Sequence, residues 1–311
     1  MVNRRQLLCL AASTLTAAVA RSVRAGSAKP QDASVRFGFS LYGMKTLETD
    51  AALKACAEIG YDGVELALMP GWATEPKLLG QDARRDLRKR LEDSNLALLG
   101  LMENLREPVD DGLHRANLDK LKAATELGQA LSPKEWPVIE TIVGNKPAQW
   151  EQVKQQLVER LGSWAEVAAA AKTVIAIKPH VGNALHTPEA AVWLVQQVKS
   201  PWIKLAYDYS HFVLRGLPLA QTVAALMPST AFIHVKDAQG NADKFKFLLP
   251  GDGGIDYLEY AKLLKEARYR GPLVVEVSGQ ISGQRDYDPR AAARRSYANL
   301  APVLKKSGLR P

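Results

Sequence analysis

From residue 35 onward the sequence alternates a short apolar run with a longer segment of helical period, eight times over. No other feature restricts the fold as much. The runs fall at 36–42, 63–68, 97–103, 137–143, 174–180, 203–208, 231–236 and 273–277. Near-continuous apolar runs of this length suit parallel strands buried on both faces. The intervening segments 49–59, 82–93, 116–127, 147–171, 188–199, 217–226, 257–267 and 290–306 predict helices. Asp50, Thr187 and Asp256 are suited to helix starts, and Gly60, Gly128 and Gly271 to helix ends. Eight such units predict the α/β class and a single closed (β/α)8 barrel over residues 34–311. An open doubly wound sheet usually has about five or six strands. No Gly-x-Gly-x-x-Gly follows the first run, so a dinucleotide site has no support.

Residues 1–28 read as an export signal. Arg4-Arg5 precedes an apolar run from Leu7 to Ala20, followed by small residues. The segment resembles a twin-arginine signal, although the usual Ser or Thr before the pair and the later Lys are missing. A mature chain beginning between residues 21 and 33, in the periplasm or outside the cell, is the expectation. The apolar run is too short for a membrane span. The formal charge is +8, but the first 33 residues hold five basic residues against Asp32. The remainder has 36 basic and 32 acidic residues, a balance of +4 that gives little reason to expect a nucleic-acid partner. Two cysteines, Cys9 and Cys56, leave no disulfide framework and no cysteine zinc cluster.

Barrel chemistry sits at the carboxyl ends of the strands, and polar residues collect at those ends here. Glu65, Glu103, Glu140, Lys178 with His180, Asp208 with His211, His234 with Lys236, and Glu276 all fall there. The strand period of two puts Lys178 and His180 on the face of Ala176, and Asp208 on that of Ala206. His234 shares a face with Lys236, and Glu276 with Val274 and Ser278. Charges on an inward face are costly unless paired or ligating, so the set predicts one functional pocket. Carboxylate and imidazole from several strands suit a divalent ion such as Mn, Mg or Zn. Such an ion could stabilise an enediolate while a carboxylate moves a carbon-bound proton. Tyr42 and Trp72 are candidates for stacking on a sugar; Glu65, Glu103, Glu140 and His211 are further substrate-binding candidates. Pro250-Gly251-Asp252-Gly253-Gly254 reads as a turn into a helix, for it lacks the Lys-Ser/Thr of a phosphate loop.

The chain resembles the xylose-isomerase-like barrel superfamily of sugar isomerases and epimerases, which also contains endonuclease IV. The resemblance spans nearly all of 35–310. It rests on Gly60-Tyr61-Asp62-Gly63-Val64-Glu65-Leu66, Asp208-Tyr209-Ser210-His211, His234-Val235-Lys236-Asp237, the segment from Pro250 to Tyr257, and Gly271-Pro272-Leu273-Val274-Val275-Glu276. It implies one divalent ion held by Glu, Asp, His and Glu from strands five to eight. Asp208, His234 and Glu276 match the last three, and Lys178 stands where the first Glu belongs. The two glutamates are also the acid–base pair of the family's ketose 3-epimerases, so the departure bears on both metal and reaction. Either His180 supplies the fourth ligand, or Lys178 replaces the ion with its own charge, or Lys178 is an acid or base in altered chemistry. A lowered Lys178 pKa is expected if burial and a neighbouring cation prevail over Asp208 and Glu276. An ion pair in a dead site is the bland alternative. Five histidines spread over the chain do not resemble the His-rich three-metal centre of endonuclease IV.

These features predict an exported isomerase or epimerase of an unphosphorylated sugar or keto-sugar, with Lys178, Glu276 and Lys236 catalytic. Two alternatives remain: a lyase or hydrolase acting by β-elimination on an oxidised (3-keto) glycoside, and a non-catalytic sugar-binding barrel that has lost the metal. The partner in each case is a small carbohydrate, with no nucleic acid and no membrane after signal removal; an oligomer is possible.

Overall fold

In the computed structural model, residues 35–106 and 108–311 are described. Residues 1–33, where an export signal and its cleavage are expected from the sequence, lie outside the described residues. Eight parallel strands close into a barrel: β1 (Phe37–Ser40), β2 (Gly63–Ala67), β3 (Ala97–Met102), β4 (Val138–Thr141), β5 (Ile175–Ile177), β6 (Ile203–Tyr207), β7 (Thr230–Val235) and, after the hairpin β8 (Asp237–Gly240) and β9 (Phe245–Leu248), β10 (Leu273–Val275). β1 pairs with both β2 and β10, which closes the ring. The large helices are α1 (Thr49–Ile59), α2 (Gln81–Asp93), α3 (Asp111–Leu131), α4 (Trp150–Ala171) and α5 (Pro188–Val198). Then come short α6 (Tyr209–Val213), α7 (Leu219–Leu226), α8 (Tyr257–Glu266), one-turn α9 (Gly279–Ser282) and α10 (Pro289–Ser307). Among the described residues no helix is long and apolar enough to cross a membrane.

All eight strands and eight helices anticipated above are present. Local chemistry accounts for several boundaries. Thr187 Oγ1 accepts from Ala190 N at the start of α5, and Asp256 Oδ1 from Leu258 N and Glu259 N at the start of α8. Gly60 ends α1 with φ of 104°, where a Cβ is disfavoured. Gly128, anticipated as a helix end, lies inside α3 instead. A Cβ there would stand 3.1 Å from Pro137 Cγ and 3.2 Å from Leu101 Cδ1, so the glycine serves close helix–barrel packing. Gly271 lies beyond the end of α8 and is packed against the Ala231 carbonyl.

Inside the barrel, Leu99, Ala176, Ala206, Phe232 and Val274 form one apolar layer, with Val138 against it. This layer carries the site. Two residues further along each strand, on the same face, come Glu140, Lys178, Asp208, His234 and Glu276. The apolar layer closes the barrel floor, so the polar layer above it opens only toward the carboxyl ends of the strands. Gly100 leaves room beside this floor: a Cβ would meet Phe232 Cε2 at 2.7 Å and Glu65 Oε1 at 3.3 Å.

Candidate active site

Lys178 is the hub of the polar layer. Its Nζ lies 3.0 Å from His234 Nδ1, 3.1 Å from Glu276 Oε2 and 3.1 Å from Glu140 Oε1. Glu276 Oε2 also accepts from Lys236 Nζ at 2.7 Å, and Lys236 pairs with Asp208 through its other carboxylate contact. The second Asp208 oxygen accepts from Ser210 N at 3.1 Å and Ser210 Oγ at 2.6 Å, capping α6. Below, His234 Nε2 lies 2.9 Å from Glu65 Oε2. Burial opposes a charge on Lys178, but Glu140, Glu276, Asp208 and Glu65 outweigh it and raise its pKa. The lowered value anticipated from the sequence is therefore corrected: carboxylates surround the amine, and it stays an ammonium.

The same charges separate two carboxyl groups of one cavity. Burial raises the pKa of Glu140 beyond what Lys178 and His234 can offset. Burial acts on Glu276 too, yet Lys178, Lys236 and His234 hold it well below the usual carboxylate range. At His234, Glu65 and Glu276 favour an imidazolium over the cost of burial, but Lys178 presses an ammonium on Nδ1. The two carboxylates hold the His234 pKa above its ordinary value against that ammonium, and in either protonation state Nε2–H donates to Glu65.

His180 and His211 stack with ring centroids 4.1 Å apart. His180 Nδ1 accepts from Gly182 N at 3.1 Å, and His211 Nδ1 from Val181 N at 3.4 Å. Each ring therefore carries its proton on Nε2. Burial first, then Lys178 and Lys236, push the His180 pKa down to about 4. His211 is driven well below its ordinary value by burial, His180 and the lysines. His180 Nε2–H is thus a neutral donor on the cavity wall, whereas a metal-ligating Nε2 would need Nδ1 to donate.

The cavity over this layer is about 120 Å³ and is lined by Tyr42, Glu140, Lys178, His180, Lys236 and Glu276. Asn104, Arg106, Phe247, Ser278 and Gly279 also line it. The sequence reading proposed none of these five as site residues, although it placed Ser278 on the inward face with Glu276. Phe247 comes from the unanticipated hairpin, where its N–H donates to Gln280 Oε1 at 2.8 Å. Asn104 and Arg106 follow β3 directly, and their place just beyond Glu103 was the available signal. Other candidates lie away from the cavity. Glu103 is buried beside Lys120 at 3.6 Å, Asp208 and Glu65 lie under the lysine and histidine, and His211 sits behind His180. Trp72 stacks on Tyr42 at 5.2 Å with the Lys45 ammonium 3.9 Å over its ring, so it backs Tyr42 rather than facing the cavity. The glycine-rich loop is a turn into α8, as expected. Asp237 accepts from Gly251 N at 2.8 Å and Ile255 N at 3.1 Å, which commits two of its N–H groups.

A larger groove of about 1440 Å³ opens at the other end of the barrel, beside Arg36, Asp62 and Ala97. It is edged by surface ion pairs such as Arg36–Glu135 and Arg310–Asp62. The buried carboxyl, lysine and histidine groups of the polar layer are at the opposite end, which is where the chemistry belongs.

Glu65, Glu140 and His234 form a group able to hold a metal ion by spacing, their ligand atoms lying within 4.8 Å of one another. The charges around them do not fit one. An ion there would face the Lys178 ammonium, already 3.0 Å from His234 and 3.1 Å from Glu140. The set Asp208, His234 and Glu276 is likewise wrapped around the two lysines.

Comparison with known proteins agrees with this architecture. The inosose dehydratase of Clostridium tetani is 24% identical over 195 residues, which are 58% of this chain and 61% of that protein. The chain thus spans less than two thirds of that relative. The crystal structure of the IolI protein with a bound zinc atom superposes with a TM-score of 0.75 at 18% identity, over 88% of this chain and 99% of that one. The 3-keto-D-glucoside 4-epimerase YcjR from E. coli gives 0.66 at 16% identity, over 86% and 99%. With the closed barrel, the polar layer and a family model matching residues 53–303, the chain belongs to the xylose isomerase-like TIM barrel family.

Proposed function

We propose that this barrel is an enzyme that moves a proton on the carbon next to a ketone of an unphosphorylated sugar or cyclic polyol. The observation that carries this reading is the opposite displacement of two carboxyl groups in one cavity, Glu140 upward and Glu276 downward. Carboxyls pushed apart by their surroundings mark an acid and a base. Epimerisation and dehydration of a keto-sugar share removal of that proton, and the relatives include a dehydratase and a keto-sugar epimerase.

The ketone oxygen takes hydrogen bonds from Lys236 and the His180 Nε2–H, with the Lys178 ammonium beside them. An ammonium that turns to the substrate leaves Glu276 with less positive charge. Its basicity rises as the proton is to be abstracted. The enolate oxygen then faces two ammonium groups in a small cavity, where fixed charges stabilise developing negative charge. Glu140 carries the proton that returns to carbon in an epimerase or isomerase, or goes to the departing oxygen in β-elimination. A 3-keto glycoside is the elimination substrate to try. Tyr42 and Phe247 offer aromatic faces to the sugar ring.

The metal-dependent form of this chemistry has the Glu65–Glu140–His234 spacing in its favour. An ion there would have to displace Lys178, so no step is carried through it. Export by a twin-arginine route, which carries folded protein, is part of the proposal.

The test is exchange of the α-proton with solvent deuterium, followed by NMR on a set of 3-keto glycosides, ketohexoses and inososes. Exchange into at least one substrate, lost more than about tenfold on Glu276→Gln, supports the reading. No exchange with any of them, despite saturable binding, makes the protein a sugar-binding barrel.

A further inference from the structure

We infer that Lys178 and Lys236 together replace the divalent ion of this barrel architecture, supplying two fixed positive charges from the chain itself. The inference rests on the functional reading only for what the charges act upon; their arrangement stands alone. The residues matching the family's last three ligands each give a polar atom to an ammonium. Asp208 pairs with Lys236, His234 Nδ1 lies 3.0 Å from Lys178, and Glu276 Oε2 lies 3.1 Å from Lys178 and 2.7 Å from Lys236.

Geometry and charge agree. A divalent ion would gather these atoms around one point and present an open position to a substrate oxygen. The two ammonium groups instead share Glu276 Oε2 and spread the same total charge over two neighbouring points. Both line the cavity, so both charges act on a substrate oxygen. Both are almost fully buried, at 4% exposure for Lys178 and 2% for Lys236. Buried ammonium groups persist only where carboxylates compensate them. Lys178 arises from the strand-five end and Lys236 from the strand-seven end, which brackets Asp208 between them in the ring order.

The reactive oxygen that fits here is an enolate or a single carbonyl: Lys236, bonded to Asp208 and Glu276, has one N–H left to direct at it, while Lys178, whose three N–H groups meet Glu140, Glu276 and His234, adds its charge alongside. A vicinal diol chelated on one ion is a poorer match. This separates the substrate class from sugars bound through two adjacent oxygens on a metal.

The experiment needs no substrate. Full-length protein purified without chelator is analysed for Mn, Zn, Co, Mg and Ca, and its thermal unfolding is followed with excess EDTA and with added Mn²⁺ or Zn²⁺. The wild type is expected to hold no stoichiometric metal and to show the same Tm throughout. Lys178→Glu, which adds a carboxylate and removes one ammonium, is expected to take up about one ion per chain and gain Tm with Mn²⁺ or Zn²⁺. A wild type carrying one ion per chain, with a Tm that falls in EDTA, overturns the inference, and it does so even if the variant does not fold. A folded Lys178→Glu that ignores metal overturns it as well. A metal-free wild type that exchanges no substrate proton leaves this inference standing and removes the functional reading.

Discussion

The imidazole of His234 and the carboxylate of Glu65 meet at 2.9 Å, Nε2 to Oε2, with neither side chain exposed. This contact keeps a proton on Nε2 and leaves Nδ1 toward Lys178. Glu65→Ala should strand a buried N–H and cost about 1–3 kcal/mol beyond the lost packing. Glu65→Gln keeps an acceptor and should cost less. Denaturant unfolding of the two variants checks the order; equal losses would mean the contact does not orient the ring.

Lys178→Met removes the ammonium that Glu140, Glu276 and His234 share. Breaking a buried pair by taking one partner costs about 3–5 kcal/mol. The carboxyls left behind are then harder to ionise, so their folded-state pKa values rise and stability drops as pH increases. The loss relative to wild type should be larger at pH near 8 than near 5, as read by thermal unfolding at the two values.

His180, neutral with a pKa held down to about 4 from its ordinary 6.5, sets a pH window. The unfolded chain binds a proton there more readily than the folded one. Its contribution is therefore complete above about 6.5, and it is lost as pH falls toward 4, at up to about 1.4 kcal/mol per unit. His180→Gln should flatten that part of the stability profile. An unchanged acid limb would place the transition on other groups.

Asp237→Ala deprives Gly251 N and Ile255 N of their acceptor. Leaving the buried Ile255 donor unpaired, and the exposed Gly251 donor without its anchor, should cost about 1–3 kcal/mol and open the loop 250–255 to protease. Inorganic phosphate should not protect it. Protection by phosphate would show the loop's N–H groups to be a phosphate grip.

Much of this architecture was legible because barrel strands are read by two independent patterns. Apolar runs place the strands, and the period of two places Lys178, Asp208, His234 and Glu276 on one face above Ala176, Ala206, Phe232 and Val274. The hairpin β8–β9 was not legible. It begins immediately after Lys236, is four residues per strand, and lies in a region whose Gly and Pro read as a turn. The direction of the Lys178 shift was not legible either. It depends on how near Glu140 and Glu276 come to one amine, and sequence spacing carries no distance across a barrel. Helix α3 starts five residues before its anticipated apolar stripe, because Asp110 caps it through Leu113 N at 2.8 Å and its first turn is polar.

In the hairpin, Phe247 pairs with Ala238 and Lys246 with Gln239, so Phe247 is buried at the cavity while Lys246 is exposed. A slip of one residue exchanges the two faces of a strand. One inserted or deleted residue in the short turn at Asn241–Lys244 would bring Lys246 to the wall in place of an aromatic ring. No barrel strand would have to move. Descendants of such a chain can therefore change what the cavity admits by editing a surface turn, while the charges that act on the substrate are inherited intact.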